Sequence, residues 1–453
     1  TWIMKITRFV GEFLSYSLLY LFTSSSHPRT STFLFILIYI YQICYLFRHD
    51  NFNKEKEFFS FNYLFFSMLT IITYLIPIFY LLGLDDMVRY ICPASYEIQY
   101  IPKSLYITSI AILSYTYGFR RREKIVAAAP NSLVLQNINR NLCVAKVLSV
   151  IAFIFFLYQF SISYKTGMLD VEGFVVTLVS VALIYSFAMI GYSNIVFKYN
   201  LLQFILHHKF ILLIALVIVL AMFSIGDRFF PLLIICSLAF VINHFVYKIS
   251  LRQFFLSIIG GAVILFFISF TRFNDDKSVS NAIAQYNTMD NPAIVFQDVI
   301  PVNLDYYLGL HYVDHHGSYK PGRIIVYLLK PIPFVPSYLT NTFFEGDITT
   351  GNLLTEYNKK IVDVGSSTQG LGTHCIVDVY MSWGIVGVVL LFMIFGMIVG
   401  KCYTNANKFY SLLIYCGLMA GAIYIPRESL FSTYRIAIWL VVLAFFLLKR
   451  KKL

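Results

Sequence analysis

Long apolar runs recur along this chain, and no other feature limits its fold so tightly. Stretches of about 17–25 residues with few charges have the length that carries an α-helix across the roughly 30 Å hydrocarbon layer of a bilayer. Twelve such runs can be read, at about 9–25, 31–47, 58–83, 104–119, 144–162, 172–197, 210–225, 229–247, 254–271, 376–400, 409–425 and 430–448. Of the 453 residues only 13% are charged and 58% are hydrophobic, about half the charge of a soluble domain. The alternating segments of about ten residues that mark a membrane β-barrel do not occur. The expected class is an all-α membrane protein of about twelve transmembrane helices. The first run is the weakest, being short and holding Glu12, so an interfacial helix is its alternative reading. Runs 210–225 and 229–247 joined together would be about 38 residues, too long for one crossing; Gly226-Asp227-Arg228 separates them.

The net charge of +12 argues for orientation in a membrane rather than for nucleic acid, because the basic residues sit in short loops between apolar runs. Arg48, Lys54 and Lys56, then Arg120-Arg121-Arg122-Glu123-Lys124 with Arg140 and Lys146, then Lys198 and Lys209, Lys248 and Arg252, Lys401 and Lys408, and finally Lys449-Arg450-Lys451-Lys452 mark successive loops on one side. The intervening loops are poorer in Lys and Arg. By the positive-inside rule both termini of this multi-pass protein face the cytoplasm. Lys5 and Arg8 precede the first run with no small-residue cleavage site, so that helix is expected to stay. The seven cysteines are scattered, without metal-ligand spacing or a disulfide framework.

This divides the chain into nine spans over 1–270, a large outward loop over 271–375, and three spans with a basic tail over 376–453. Roughly a hundred residues is far more than a turn needs, and loops longer than about 15 residues are usually functional or disordered. Asn291-Pro292 reads as a helix cap and first helical position. Ile324-Ile325-Val326-Tyr327-Leu328-Leu329 is apolar, and Pro331, Pro333 and Pro336 should then halt a helix. Short helices lying on the membrane face or packed over the bundle are expected there. No repeat of fixed period is visible.

Four arginines stand at outer positions, where the orientation rule disfavours them: Arg228 in a tight turn, Arg272 at the start of the large loop, Arg427 in Pro426-Arg427-Glu428, and Arg435 inside the last run. A guanidinium offers a rigid fork of donors that matches phosphate. Converging from separate turns, they would bind an anion; taken singly, each could instead snorkel or pair with Asp227, Asp276 or Glu428. His374 and Asp378 are four residues apart where the tenth run begins, so a helix starting near Thr373 would put both on one face. A carboxylate one turn away orients an imidazole, and such a pair could take a proton from a sugar hydroxyl; the alternative is that Thr373 and His374 merely cap the helix. His311, His315 and His316 look like metal ligands but have no second cluster and read better as a solvated stretch. Gly365–Gly372 lacks the Gly-Lys-Thr ending of a phosphate-cradling loop.

At these residues a family resemblance emerges. Gly372-Thr373-His374-Cys375-Ile376-Val377-Asp378-Val379-Tyr380-Met381-Ser382-Trp383-Gly384-Ile385-Val386-Gly387 resembles the helix after the large periplasmic loop of Wzy-type O-antigen and capsule repeat-unit polymerases, and of the related O-antigen ligases. Gly226-Asp227-Arg228 resembles their Gly-x-Arg turn, Pro426-Arg427-Glu428 their C-terminal Pro-Arg-Glu turn, and Lys330-Pro331-Ile332-Pro333-Phe334-Val335-Pro336-Ser337 their Pro-rich loop motif. The likeness covers mainly 220–440; residues 1–200 match only in hydropathy. It implies a GT-C-like bundle and a glycosyltransferase that joins undecaprenyl-pyrophosphate-linked oligosaccharides at the periplasmic face, with no cofactor and no metal. The donor pyrophosphate would then sit on Arg228, Arg272, Arg427 and Arg435, and His374, supported by Asp378, would be the base, with Glu428 as rival. A chain-length regulator and a flippase are the further partners implied, and nucleic acid is not one. One departure is Asp227, where many relatives carry Thr or Ser; it would pair with Arg228 and weaken its hold on a phosphate. The alternative activities are a ligase that moves the glycan to a lipid A core and, ranked behind it, a lipid-linked-oligosaccharide flippase or transporter. A non-catalytic scaffold in an envelope assembly is the remaining reading.

Overall fold

The computed structural model describes residues 2–48, 58–84, 98–120, 130–166, 174–225, 227–261, 300–332, 335–343, 350–362, 372–431 and 433–448. The described residues form helices and connecting turns, with no strand among them. In chain order the helices are α1 (Trp2–Thr23), α2 (Pro28–Arg48), α3 (Phe61–Leu82), α4 (Tyr100–Arg120), α5 (Ser132–Gln136), α6 (Ile138–Thr166), α7 (Phe174–Phe197), α8 (Leu201–His207), α9 (Lys209–Ser224) and α10 (Phe229–Phe245). Residues 251–261 are helical too. There follow α11 (Ile300–His316), α12 (Arg323–Leu329), α13 (Val335–Phe343), α14 (Thr350–Val362), α15 (Cys375–Thr404), α16 (Phe409–Ala420), a 3-10 turn (Ile425–Arg427) and α17 (Tyr434–Leu448).

Five of these are long and apolar enough to cross a membrane: Pro28–Phe47, Phe61–Leu82, Ile138–Ile162, Val175–Phe197 and Cys375–Thr404. A sixth arises if α8 and α9, bent 84° to one another at His208, count as one broken span. The expected count of twelve is thus met in part. Helices occupy the other positions, the run 254–271 being described only as far as 261, but α10, α16 and α17 are shorter apolar helices of 10–17 residues. Helix α4 is long yet carries Ser104, Thr108, Ser109, Ser114 and Thr116, all buried. Its place in the fold explains this composition. It is wrapped by α1, α2, α11 and α15, so it need not be apolar toward lipid, and Ser104, Ser109 and Ser114 return their hydroxyl protons to backbone carbonyls three or four residues earlier. Side chains left outside, such as Leu18, Phe22, Ile154, Leu157, Leu213, Leu220 and Phe446, are large and apolar. Exposed apolar area on that scale is what a lipid-facing surface needs and a water-facing one avoids.

The most extensive helix pairing is α4 with α15, and small residues make it possible. A methyl group added at Gly118 or Gly396 would collide with the backbone oxygen of Met393 or Tyr115, and one at Gly400 would come within 2.8 Å of the oxygen of Phe119. Gly396 and Gly400 are four apart, the spacing that lets helices in lipid approach backbone to backbone.

Helix α15 is broken at Gly384, whose φ of 60° and ψ of −154° are open only to glycine. At the break the Trp383 side chain folds against Gly387, where a Cβ would overlap it. The Gly-x-x-Gly of the sequence is therefore a device that separates a short first segment, 375–383, from the rest of the helix.

Four helices, α11 to α14, come from the 271–375 segment: α11 packs against α3, α4 and α15, α12 against α15, α13 against α12, and α14 against α11. The apolar run 324–329 is α12. Pro336 does not halt a helix as expected; it lies in the first turn of α13, where a missing N–H leaves nothing unsatisfied. The expected cap at Asn291-Pro292 lies outside the described residues.

Candidate functional site

His374 begins α15. Its Nδ1 accepts the backbone N–H of Ile376 at 3.3 Å, so the residue is the helix cap. In the neutral ring the proton then sits on Nε2, which lies 2.9 Å from Thr73 Oγ1 of α3. The ring stacks on Tyr306 of α11, centroids 4.4 Å apart. It is fully buried, and burial lowers its pKa to about 3. Both ring nitrogens are engaged, so acting as a base would require giving up the cap or the Thr73 contact.

Asp378 follows one turn later, its backbone N–H donating to the His374 carbonyl at 2.9 Å, and its side chain has other partners. Arg323, at the start of α12, reaches it instead: Nη1 lies 2.9 Å from Asp378 Oδ1, with both side chains buried. Nη2 donates to the Asp378 backbone carbonyl, Nη1 to Thr350 Oγ1, and Nε to Ser382 Oγ at 2.6 Å. Thr350 donates to Asp378 Oδ1 and Ser429 to Oδ2, at 2.7 Å in the second case. Tyr319 N donates to the Met381 carbonyl at 2.7 Å, and Trp383 Nε1 to that of Pro321 at 2.9 Å. Asp378, Ser382 and Trp383 therefore hold the loop helices onto the first segment of α15.

Next to Tyr306 stands Asp305, and it is the polar group that the sequence reading missed. Its side chain is 1% exposed, and neither carboxylate oxygen has a hydrogen-bond partner among the described residues. Burial holds its carboxyl well above the usual carboxylate range, and the positive charge of Arg427 pulls it partway back. A Cβ on Gly372 would lie 3.9 Å from Asp305 Oδ2 and 3.4 Å from the Arg427 carbonyl oxygen. Gly372, itself exposed, thus lies against both residues.

Arg427 ends the 3-10 turn, half-buried, with its guanidinium 5.8 Å from the Tyr424 ring centroid. Tyr424 is where two turns meet. Phe229, at the start of α10, lies edge-on to it at 4.5 Å. Burial raises the phenol pKa, and the charges of Arg427, Asp227, Arg228 and Glu428 all act on it. Arg228 and Arg427 are thereby brought to one locality, with Glu428 beside them. Asp227 caps α10, its carboxylate accepting the N–H groups of Phe229 at 3.3 Å and Phe230 at 3.1 Å. Arg435 donates to Thr177 of α7 at 2.5 Å. Arg272 and Asp276 lie outside the described residues.

Among the described residues, no three His, Cys, Asp or Glu side chains gather as a metal site. His311 stacks on His315 at 4.0 Å and bonds to the Tyr357 hydroxyl at 2.8 Å, while His315 and His316 stay exposed. No family model, curated protein or solved structure matches this chain.

Two signals could have flagged the missed residues. Arg323 is the arginine that opens the apolar run 324–329, and a cation beside such a run calls for a buried partner. Asp305 sits in Asn303-Leu304-Asp305-Tyr306-Tyr307-Leu308, a carboxylate flanked by apolar and aromatic residues in the first half of α11.

Proposed function

We propose that this protein is a membrane glycosyltransferase that joins lipid-pyrophosphate-linked oligosaccharide repeats into a surface polysaccharide. The observation that carries the reading is the pairing of the Arg228–Arg427 locality with a buried carboxylate, Asp305, that has no hydrogen-bond partner among the described residues. In the proposed reaction a hydroxyl of the acceptor glycan attacks the anomeric carbon of the donor. The new C–O bond forms as the bond to pyrophosphate breaks, and polyprenyl pyrophosphate leaves with its charge held by Arg228 and Arg427. The hydroxyl proton passes to a protein base. Asp305 is favoured over His374 for that step, because its oxygens are uncommitted while both nitrogens of His374 are bonded. A carboxylate whose pKa has been raised is also the stronger proton acceptor once ionised. Arg323 and Asp378 are positioning residues that fix the loop helices over the site. The twelve-span topology, with cytoplasmic termini and the 271–375 segment outward at the periplasmic face of the inner membrane, belongs to the same proposal.

Removing one preorganised donor to a developing charge costs about 10²–10³ in rate. With protein in membranes, lipid-linked repeats as the sole substrate and polymer length as readout, Arg427→Ala and Arg228→Ala are expected to lose that much. Unchanged polymerisation by both would overturn the site. A ligase would use the same chemistry on a different acceptor, and would make no polymer in this assay.

A further inference from the structure

A second built site lies at the other end of the bundle. Helix α4 spans 21 residues from Tyr100 to Arg120, about 30 Å at 1.5 Å per residue. Its first turns touch the large-loop helices through Lys103 and Asp314, while Arg120 at its far end faces α1 and α2. There, Lys5, Arg8, Glu12, Tyr41, Tyr45 and Arg120 line a cavity of about 90 Å³. The guanidinium groups of Arg8 and Arg120 lie 4.2 and 4.3 Å from the centroid of the one Tyr45 ring. Arg8 is held at three points: Nε on Glu12 at 2.7 Å, Nη1 on the Tyr45 hydroxyl at 2.8 Å, and Nη2 on the Tyr41 hydroxyl at 2.7 Å. The Lys5 ammonium donates to the Arg120 carbonyl at 3.4 Å. Three cations thus share a pocket in which, among the described residues, the lining holds one carboxylate, Glu12.

From Glu12 and Tyr41 the surface continues as an apolar groove of about 420 Å³ between α1 and α2, lined by Leu19, Leu34, Leu37 and Ile38. A cationic mouth opening onto an apolar groove has the polarity of one molecule, a lipid with an anionic head. Basic pockets between membrane helices are a recognised form of anionic-lipid site.

We propose that the α1–α2–α4 pocket binds an anionic glycerophospholipid, its phosphate on Arg8, Lys5 and Arg120 and one acyl chain in the α1–α2 groove. Arg8 already spends one N–H at Nε and one on each Nη, and the remaining N–H on each Nη is left to meet a phosphate oxygen. The site is separate from the proposed catalytic locality, and the inference holds whatever glycan the protein handles.

The test is lipid retention by the purified full chain, read by native mass spectrometry after titration with phosphatidylglycerol. Phosphatidylcholine and free glycerol phosphate serve as the other arms. Wild-type protein should retain one more phosphatidylglycerol than an Arg8→Gln/Arg120→Gln variant, with affinity lower by about tenfold or more in the variant. Phosphatidylcholine should not substitute, and free glycerol phosphate should not compete. Leu37→Trp leaves the cations intact and fills the groove, and it too should lose the extra lipid; it is read if the double variant does not fold. Equal retention by wild type and Leu37→Trp would overturn the acyl-chain assignment. Equal phosphatidylcholine retention would overturn the anionic head, and displacement by glycerol phosphate would show that the pocket holds a free phosphate ester rather than a lipid.

Discussion

Asp305 is held at a cost to stability. A buried polar group without a hydrogen bond destabilises a fold by about 1–3 kcal/mol, and both of its oxygens are in that state among the described residues. Asp305→Leu should therefore raise the thermal midpoint of the purified protein while abolishing polymer formation, a stability–function trade-off of the usual sign. A lower midpoint with unchanged activity would mean that the carboxylate is a structural group. The sign of the pH dependence follows from its raised pKa. The acceptor form is the ionised one, so activity should climb with pH through a midpoint above the ordinary carboxylate range, and Asp305→Asn should remove activity at every pH. Arg323 and Asp378 behave differently, because here each partner satisfies the other. Breaking a buried ion pair from one side costs about 3–5 kcal/mol, so Arg323→Ala and Asp378→Ala should each lower the thermal midpoint strongly, and the double variant by clearly less than the sum. Additive losses would show that the two residues act independently.

At the level of elements, much of the bundle was legible in hydrophobic run length. The readings at 58–83, 172–197, 376–400 and 430–448 each fall on a helix displaced by a few residues, because apolar length is a local property. The loop was legible only as short apolar pieces. The Arg323–Asp378 contact joins residues 55 positions apart, and no spacing rule connects them. His374 and Asp378 were read as one turn apart, but neighbours from α3, α11, α12 and α14 decide which partners they take. The Gly384 break and the α4–α15 contact are steric facts that appear only with three-dimensional neighbours. Gly384→Ala would force a side chain into a backbone region costing about 1–3 kcal/mol, and should reorient Trp383 away from Pro321, an effect that indole fluorescence would detect. Gly396→Leu should separate α15 from α4, with greater protease sensitivity than an Ile398→Leu control on the exposed face.

The whole molecule places its two proposed sites at opposite ends of α4, and the proposed orientation rests on charge bias. With the exposed Cys44 and Cys143, and Cys92, which follows α3 in the chain, replaced by Ser, a membrane-impermeant thiol reagent applied to intact spheroplasts should label Tyr338→Cys on α13 and leave Leu202→Cys on α8 unlabelled until lysis. The reverse pattern would invert the topology. The central claim is that Arg228, Arg427 and Asp305 form a polymerising site, and the surface-glycan ladder of a deletion strain tests it most directly. Loss of the protein should leave core plus a single repeat, and wild-type protein should restore the ladder. Arg427→Ala, Arg228→Ala and Asp305→Asn, at equal membrane levels, should each leave the single repeat. Bare core in the deletion strain would instead identify a ligase, and a full ladder from all three variants would contradict the account.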